Sequence, residues 1–545
     1  MKILWLDLNC SYAHSSLALP ALHAQFPNDS TIEWEVIRST INDNVGTVAS
    51  DICDTKPDII AATLWLFNHE AMMHILSRVK AILPHVCCIL GGPEFLGDNE
   101  TFLRCNPFID CVFRGEGETE FPHWVTYWNK PEKWAEITGL CYLDNHGTYI
   151  DNGRAQVLHF NMLTPPERSK FFNWEKPFVQ LETTRGCFNT CTFCVSGGEK
   201  PVRTIPIEAI HQRLQIIYEH GIKDVRVLDR TFNYNTRHAK ELLQLFQKYY
   251  PHMRFHLEIH PALLSDELKE ELRQMPKGLL HLEAGIQSLR ESVLEKCQRK
   301  GKLADALEGL KFLCALDNME THADLIAGLP LYSLQEIFED IQTLAEYRAG
   351  EIQLESLKLL PGTEMRKRAP EWGISYSPLP PYEVLQTPHI NSKELETARL
   401  LSRLLDAYYN TPAWQEVTRT LMLHDKQFLH KFLSYLTNGK LIDQPLSLER
   451  RGIILYEYCK LYYPDFQLQA SLAWIEAGMS LKKQPAEKVK TKRQIPPAQW
   501  EIIYGVYRES LRLCFLPTDD EGLHGYWFGF ESEIQKITPV FKAKS

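Results

Sequence analysis

Through residues 1–130, short apolar runs alternate with longer amphipathic stretches. The runs are ILWLDL (3–8), IEWEVI (32–37), DIIAATL (58–64), CCILGG (87–92) and FIDCVF (108–113). Between them, segments such as 69–82 place apolar residues at helical spacing. This alternation predicts a parallel sheet with helices on both faces. Five strands suit a doubly wound, flavodoxin-like domain over 1–135, with its ligand at the C-terminal ends of the strands. A bridge over 136–175 follows. It contains ITGLCYLDNHGTYIDNG, which has hairpin character with Asn145-His146-Gly147 at the turn, and then the proline-bearing LTPPER.

The strand–helix rhythm resumes over 176–375. Candidate strands are FVQLETT (178–184), DVRVLD (224–229), RFHLEI (254–259), LLHLEA (279–284), THADLIAG (321–328) and EIQLESLKL (351–359), with helical patterns between them. Six units fall short of a closed eight-fold barrel, so a partial (β/α)6 barrel is expected. Its active face would lie at the strand ends, where Thr183, Asp229, Glu258, Glu283 and Asp324 sit. After PLPPYEV the alternation stops, and the remainder (376–545) reads as an α-helical C-terminal domain. Lys482 to Arg493 holds six basic residues and reads as a solvated linker, since no aromatics are interleaved.

Composition adds exclusions. The 545 residues are 44% apolar and 23% charged, as in an ordinary globular protein. The formal charge of −10 argues against a protein that coats phosphate backbones, so nucleic acid is not an expected partner. No apolar run reaches membrane-spanning length, no membrane association is expected, and the N-terminus reads as a buried strand and not a secretory signal. The 14 cysteines are dispersed, which suits a reducing, cytoplasmic setting. Most lie in apolar stretches and read as small buried hydrophobes.

Three do not. Cys187, Cys191 and Cys194 form C-x3-C-x2-C in TTRGCFNTCTFCVSGG, directly after the first barrel strand. Three thiolates on one loop can hold three irons of a cubane cluster and leave the fourth iron open. An open metal position is where a substrate or cosubstrate binds. A zinc site would want a fourth ligand, for which His159 is the nearest candidate.

The triad, with Phe193 just before its last cysteine, resembles the radical S-adenosylmethionine (radical SAM) superfamily. LDRTFN (228–233), HLEAGIQS (281–288), DLIAGLP (324–330) and LKLLPGTEM (357–365) resemble its further motifs, in order and at strand ends. The resemblance implies a 4Fe–4S cluster on Cys187, Cys191 and Cys194, with SAM on the open iron. It implies Phe193 against the adenine, and Glu283 and Gln287 facing SAM or substrate. Asp229 and Glu258 would lie on the same rim, a strand-end cap or salt bridge being the plain alternative for both. The Gly-Gly-Glu usual at the end of the second strand stands instead as Gly197-Gly198-Glu199, after the cluster loop.

Two glycine-bearing loops of the first domain, Gly91-Gly92-Pro93-Glu94 and Arg114-Gly115-Glu116-Gly117-Glu118, sit at its binding edge. Glycines there would let backbone approach a large flat ligand. No G-x-G-x-x-G follows the first strand, which weakens a phosphate-binding reading. These loops, the segment from Leu8 to Leu17 and Ala62-Thr63-Leu64-Trp65 resemble the cobalamin-binding domains fused to radical SAM enzymes. The resemblance implies cobalamin against Thr63, Gly91, Gly92, Pro93, Glu94, Arg114, Gly115, Glu116 and Gly117. No Asp-x-His-x-x-Gly occurs to supply a lower-axial histidine. His14 is a candidate ligand, with a loop histidine as the alternative.

What the resemblance implies is a cobalamin-dependent radical SAM enzyme that cleaves SAM reductively and methylates an unactivated carbon of a small molecule or peptide. A flavodoxin or ferredoxin type of protein would supply electrons. Rearrangement, cyclisation or reduction without methyl transfer is the first alternative. A non-catalytic corrinoid and Fe–S sensor is the second, and a tRNA-modifying enzyme the third.

Overall fold

The computed structural model describes residues 1–11, 16–26, 31–480 and 483–486, and beyond these the backbone of five short strands within 490–543. His14 and most of the basic run at 482–493 lie outside the described residues. The chain divides into two compact units, one of residues 1–333 and 356–395, the other of 334–355 and 396–545.

The first unit begins with β1 (Lys2–Asn9), β2 (Glu33–Thr40), β3 (Ile59–Thr63), β4 (Cys87–Gly91) and β5 (Cys111–Phe113). They run parallel in the order β2-β1-β3-β4-β5, the flavodoxin-like arrangement expected from the sequence. Side chains alternate across this sheet, and both faces are covered. Ile3, Trp5, Ile59, Ala61 and Ile89 pack on one side, and Leu4, Leu6, Ile60, Ala62 and Leu90 on the other. That is why the runs read as continuously apolar. The hairpin foreseen in the bridge is present as β6 (Leu140–Leu143) and β7 (Tyr149–Asp151). It extends this same sheet, antiparallel, beyond β5.

The chain continues through β8 (Phe178–Leu181), β9 (Thr184–Arg185), β10 (Arg203–Thr204), β11 (Asp224–Val227), β12 (Arg254–Ile259), β13 (Leu280–Gln287) and β14 (Glu320–Ala327). β8, β11, β12, β13 and β14 pair in parallel in chain order, with helices Ile207–Glu219, Thr236–Gln247, Asp266–Gln274 and Leu303–Cys314 between them. Sequential parallel neighbours joined by helices make the wall of a partial barrel. β9 and β10 are an antiparallel pair that closes the base of the cysteine loop. The bridge is tied to the barrel by a buried fork: Arg213 Nε and Nη2 donate to Glu167 at 2.8–3.0 Å.

The loop after β4 meets the segment 356–395 backbone to backbone. A Cβ on Gly97 would stand 2.8 Å from the nitrogen of Gly362. Beside this contact Tyr382 Oη donates to Glu94 at 2.6 Å, and Arg366 lies over the Tyr382 ring.

In the second unit, β15 (Glu351–Ser356) is the sixth strand of the expected run, at the point where the chain returns to the first unit. Asn410 holds its backbone on both sides, accepting from the Ile352 nitrogen and donating to its carbonyl, each at 2.9 Å. Helices Pro412–His424, Phe428–Asn438, Leu448–Tyr462 and Gln467–Glu476 follow, so the tail is helical as expected through 476. The strands beyond it were not foreseen. Lys490–Thr491, Trp500–Ile502, Arg512–Pro517, Gly525–Phe530 and Ile537–Ala543 form an antiparallel sheet. Among the described residues no helix is long and apolar enough to cross a membrane.

Candidate functional site

The cysteine loop is fixed at its root by Asp229, at the end of β11. Its Oδ1 accepts from the backbone nitrogens of Thr183 and Thr184 at 2.8 and 2.9 Å, and its Oδ2 from the Thr183 hydroxyl. Burial pushes the Asp229 pKa up, and these bonds oppose it. Asp229 lines neither cavity described below. The expectation of a SAM contact therefore gives way to the plain alternative, a strand-end cap.

Beyond the cap, the loop is bonded to its surroundings. The Cys187 nitrogen donates to Glu199 O, Thr192 N to Cys297 O, and Gly198 N to Asn189 O, at 2.8–3.0 Å. All three cysteines line a cavity of about 150 Å³. Phe193, Arg230, Glu258, His260, Glu283, Gln287, Arg299 and Asp324 also line it. Burial pushes the Cys191 and Cys194 thiols up, opposed by Arg299 at Cys191 and by the Ser196 backbone and Arg230 at Cys194. Arg299 Nη1 donates to Cys191 Sγ at 3.7 Å. Among the described residues no three His, Cys, Asp or Glu side chains gather about one point to hold a single metal ion. Three sulfurs set around a shared cavity fit a cluster, which takes one thiolate per iron.

On the same rim, His256 Nε2 lies 2.9 Å from Glu283 Oε2, and this hydrogen bond leads the effects that hold the Glu283 carboxyl below its usual range. Glu258, its cross-strand partner, is pushed up to about 7, by burial first and then by Glu283, against Arg230 and His256. Gln287 lies at a bulge of β13 with φ +73°, its side chain folded over Gly285.

A second cavity, of about 650 Å³, opens between the strand ends of the doubly wound sheet and the cysteine loop. Thr63, Gly91, Gly92, Pro93, Gly115, Glu116 and Gly117 line it, with Trp5, Trp65, Phe67 and Phe113 as its aromatic wall. The Trp65 and Phe67 rings are near parallel, 6.2 Å apart. Arg230 and Glu258 line both cavities and so form a common wall.

Two residues expected here turn elsewhere. Glu94 is buried against Tyr382, and Arg114 pairs with Asp151 at 2.5 Å; neither lines the cavity. The role of Gly115 also differs from expectation. It has φ +104°, and a Cβ there would meet Ala155 O at 2.2 Å, so the tight approach is to the chain's own backbone. Glu116 takes two bonds from Arg203, at 2.6 and 2.9 Å, and one from Val157 N at 2.7 Å. Burial raises its pKa, but Arg203, Arg185 and Val157 N outweigh burial and hold it below the ordinary value. Arg185 in turn bonds Glu118 and Glu182 at 2.5 and 2.8 Å. Glu199, of the displaced Gly-Gly-Glu, faces the larger cavity and pairs with Arg154 and Arg203.

Sequence reasoning missed Arg230, His260 and Arg299. Arg230 lies inside LDRTFN and was within reach; His260 and Arg299 stand outside the motifs quoted.

Three family models match in order: the B12 binding domain over 8–125, the Radical SAM superfamily over 181–344, and a protein of unknown function (DUF4080) over 370–483. An uncharacterized methyltransferase of Pyrococcus horikoshii is 30% identical over 203 residues, covering 36% of this chain and 44% of the relative. The 2-(S-pantetheinyl)-carbapenam-3-carboxylate methyltransferase of Streptantibioticus cattleyicolor is 24% identical, covering 66% of this chain and 55% of the relative. The chain thus spans about half the length of these relatives. The fold matches the cobalamin-dependent S-adenosylmethionine radical enzyme OxsB with a TM-score of 0.60 at 14% identity, over 89% of this chain and 82% of that one. A radical SAM barrel preceded by a corrinoid-binding sheet defines the class. The chain carries a B12 binding domain and a radical SAM domain, and the cofactors these two domains take are cobalamin and a 4Fe–4S cluster with S-adenosylmethionine.

Proposed function

We propose that this chain is a cobalamin-dependent methyltransferase that places a methyl group on an unactivated carbon of a small molecule or peptide. The common wall of Arg230 and Glu258 carries the reading: the cysteine cavity and the sheet-edge cavity adjoin there. Two reactive centres held that close act on one substrate without either crossing bulk water. Both named relatives are methyltransferases, which agrees.

Cys187, Cys191 and Cys194 would hold the cluster, with Phe193, Glu283 and Gln287 toward the cosubstrate. Thr63, Gly91, Gly92, Pro93, Gly115, Glu116 and Gly117 would hold the corrin. When bound, the cluster with SAM supplies a radical for hydrogen abstraction and cobalamin supplies the methyl group. The protein's own part is positioning and proton control. Glu258, with a pKa near 7 at the common wall, can take or give a proton at neutral pH. The aromatic wall of the larger cavity keeps water from the substrate carbon. Radical SAM enzymes need a reductant; a flavodoxin or ferredoxin type of protein fits that need here. Among the described residues no cysteine is held in a disulfide, which suits a cytoplasmic setting.

The test is anaerobic reconstitution with iron, sulfide and cobalamin, followed by reductant, SAM and cell extract. The expected result is 5′-deoxyadenosine together with a product heavier by one CH2. A product of unchanged carbon count would favour rearrangement, cyclisation or reduction. No 5′-deoxyadenosine from an intact cluster would overturn the enzyme reading.

A further inference from the structure

We infer that Asn189 and His260 donate hydrogen bonds to the sulfur of a cluster held by Cys187, Cys191 and Cys194, and that these bonds raise its reduction potential. The inference rests on the cluster reading above and adds to it the groups that set the cluster's redox poise.

Asn189 stands in the loop between the first two cysteines and is buried. Its Oδ1 accepts from the backbone nitrogens of Thr190 and Lys300, both at 2.9 Å. Those two donors fix the amide: flipped, its NH2 would face two N–H groups. Its Nδ2 is therefore committed to the other side, where it is buried with no partner, in a residue that lines the small cavity. A buried donor left unmet keeps its desolvation penalty uncompensated, so an acceptor is expected where this one points.

His260 is the second such group. It follows β12 and is 5% exposed. Asn233 clamps its backbone, accepting from His260 N at 2.8 Å and donating to its carbonyl at 2.9 Å. The ring lies edge-on to Phe188, the residue after Cys187, with centroids 5.8 Å apart. Both ring nitrogens are buried and neither meets a partner at hydrogen-bond geometry; the Cε1–Nε2 edge packs on Gly301, and the residue lines the same cavity. A neutral imidazole carries one N–H to give.

The cavity also shows a donor already on sulfur, Arg299 on Cys191. The reduced cluster carries one more negative charge than the oxidised form. Donors to its sulfurs stabilise that charge and move the potential upward.

N189D keeps the oxygen that holds Thr190 and Lys300 and removes the N–H donor. H260F keeps a ring against Phe188 and removes both nitrogens. Each is reconstituted anaerobically as the full chain, with iron and sulfide counted. The midpoint is then measured by electron paramagnetic resonance at set potentials, without SAM. The expected result is a full cluster whose ratio of reduced to oxidised form, at a fixed potential, falls about tenfold per donor lost, equivalent to 59 mV for one electron. N189D also adds a charge, so H260F decides if the two disagree. Should H260F fail to hold iron, an unshifted N189D overturns the proposal. An unaltered midpoint in H260F with a full cluster overturns it. So does a loss of SAM affinity with no change of midpoint, which would place the donors on the cosubstrate. Failure of the unaltered protein to take up iron overturns the cluster reading, and this proposal with it.

Discussion

Asp229 separates two roles that look alike in a sequence. As a cap, its carboxylate serves Thr183 N, Thr184 N and the Thr183 hydroxyl, all of them at the root of the cysteine loop. D229A would leave two buried backbone donors without an acceptor, at about 1.5–3 kcal/mol for each bond to a charged group, or about 3–6 kcal/mol in all. That is a large part of an ordinary stability of about 5–15 kcal/mol. D229N keeps one oxygen for both nitrogens, and the Thr183 hydroxyl can turn to accept from the new amide, so its cost should be about 1 kcal/mol. Urea unfolding of the apo protein, followed by circular dichroism, reads the difference. Iron bound after reconstitution reads the effect on the loop, with D229N close to wild type and D229A depleted. SAM affinity of D229N completes the test. If D229N folds and holds iron normally but loses SAM, the carboxylate touches the cosubstrate and the cap argument is wrong.

Burial raises the folded pKa of Glu258 to about 7, against an ordinary carboxyl value of 4.5. The folded state thus keeps a proton that the unfolded chain releases, and wild-type stability falls as pH rises between those values. E258Q in the apo protein should gain up to about 3 kcal/mol over wild type above pH 7 and nothing below about pH 4; a pH-independent gap in urea midpoints would refute this. R213M strands the buried Glu167 and should cost about 3–5 kcal/mol, with R213M/E167L recovering most of it, as a double-mutant urea series would show. G115A forces a Cβ onto Ala155 O at a positive φ. Its backbone strain alone is about 1–3 kcal/mol, and cobalamin retained per chain, read from absorbance, should fall.

The features legible in the sequence were the local ones. Strand runs buried on both faces announce themselves by composition, and the cysteine triad announces itself by spacing. Glu258 and Asp229 both end strands, yet one lines both cavities and the other turns inward to Thr183 and Thr184. That depends on how each chain leaves its strand, which no pattern encodes. Glu94 and Arg114 were misjudged because their partners, Tyr382 and Asp151, lie far along the chain. His260 carried no motif; its significance is that its buried ring nitrogens meet no partner at hydrogen-bond geometry. The C-terminal strands did carry a signal, in GYWFGF and ITPVFKA, but the helices before them made the whole tail read as one class.

Gly97 and Gly362 meet with no side chain between them, beside the buried Glu94–Tyr382 bond. The corrinoid sheet and the barrel are therefore not interchangeable cassettes. A chimera that took either half from a relative would have to carry over both glycines and both members of the polar pair, or the seam would be pried apart by a single methyl group.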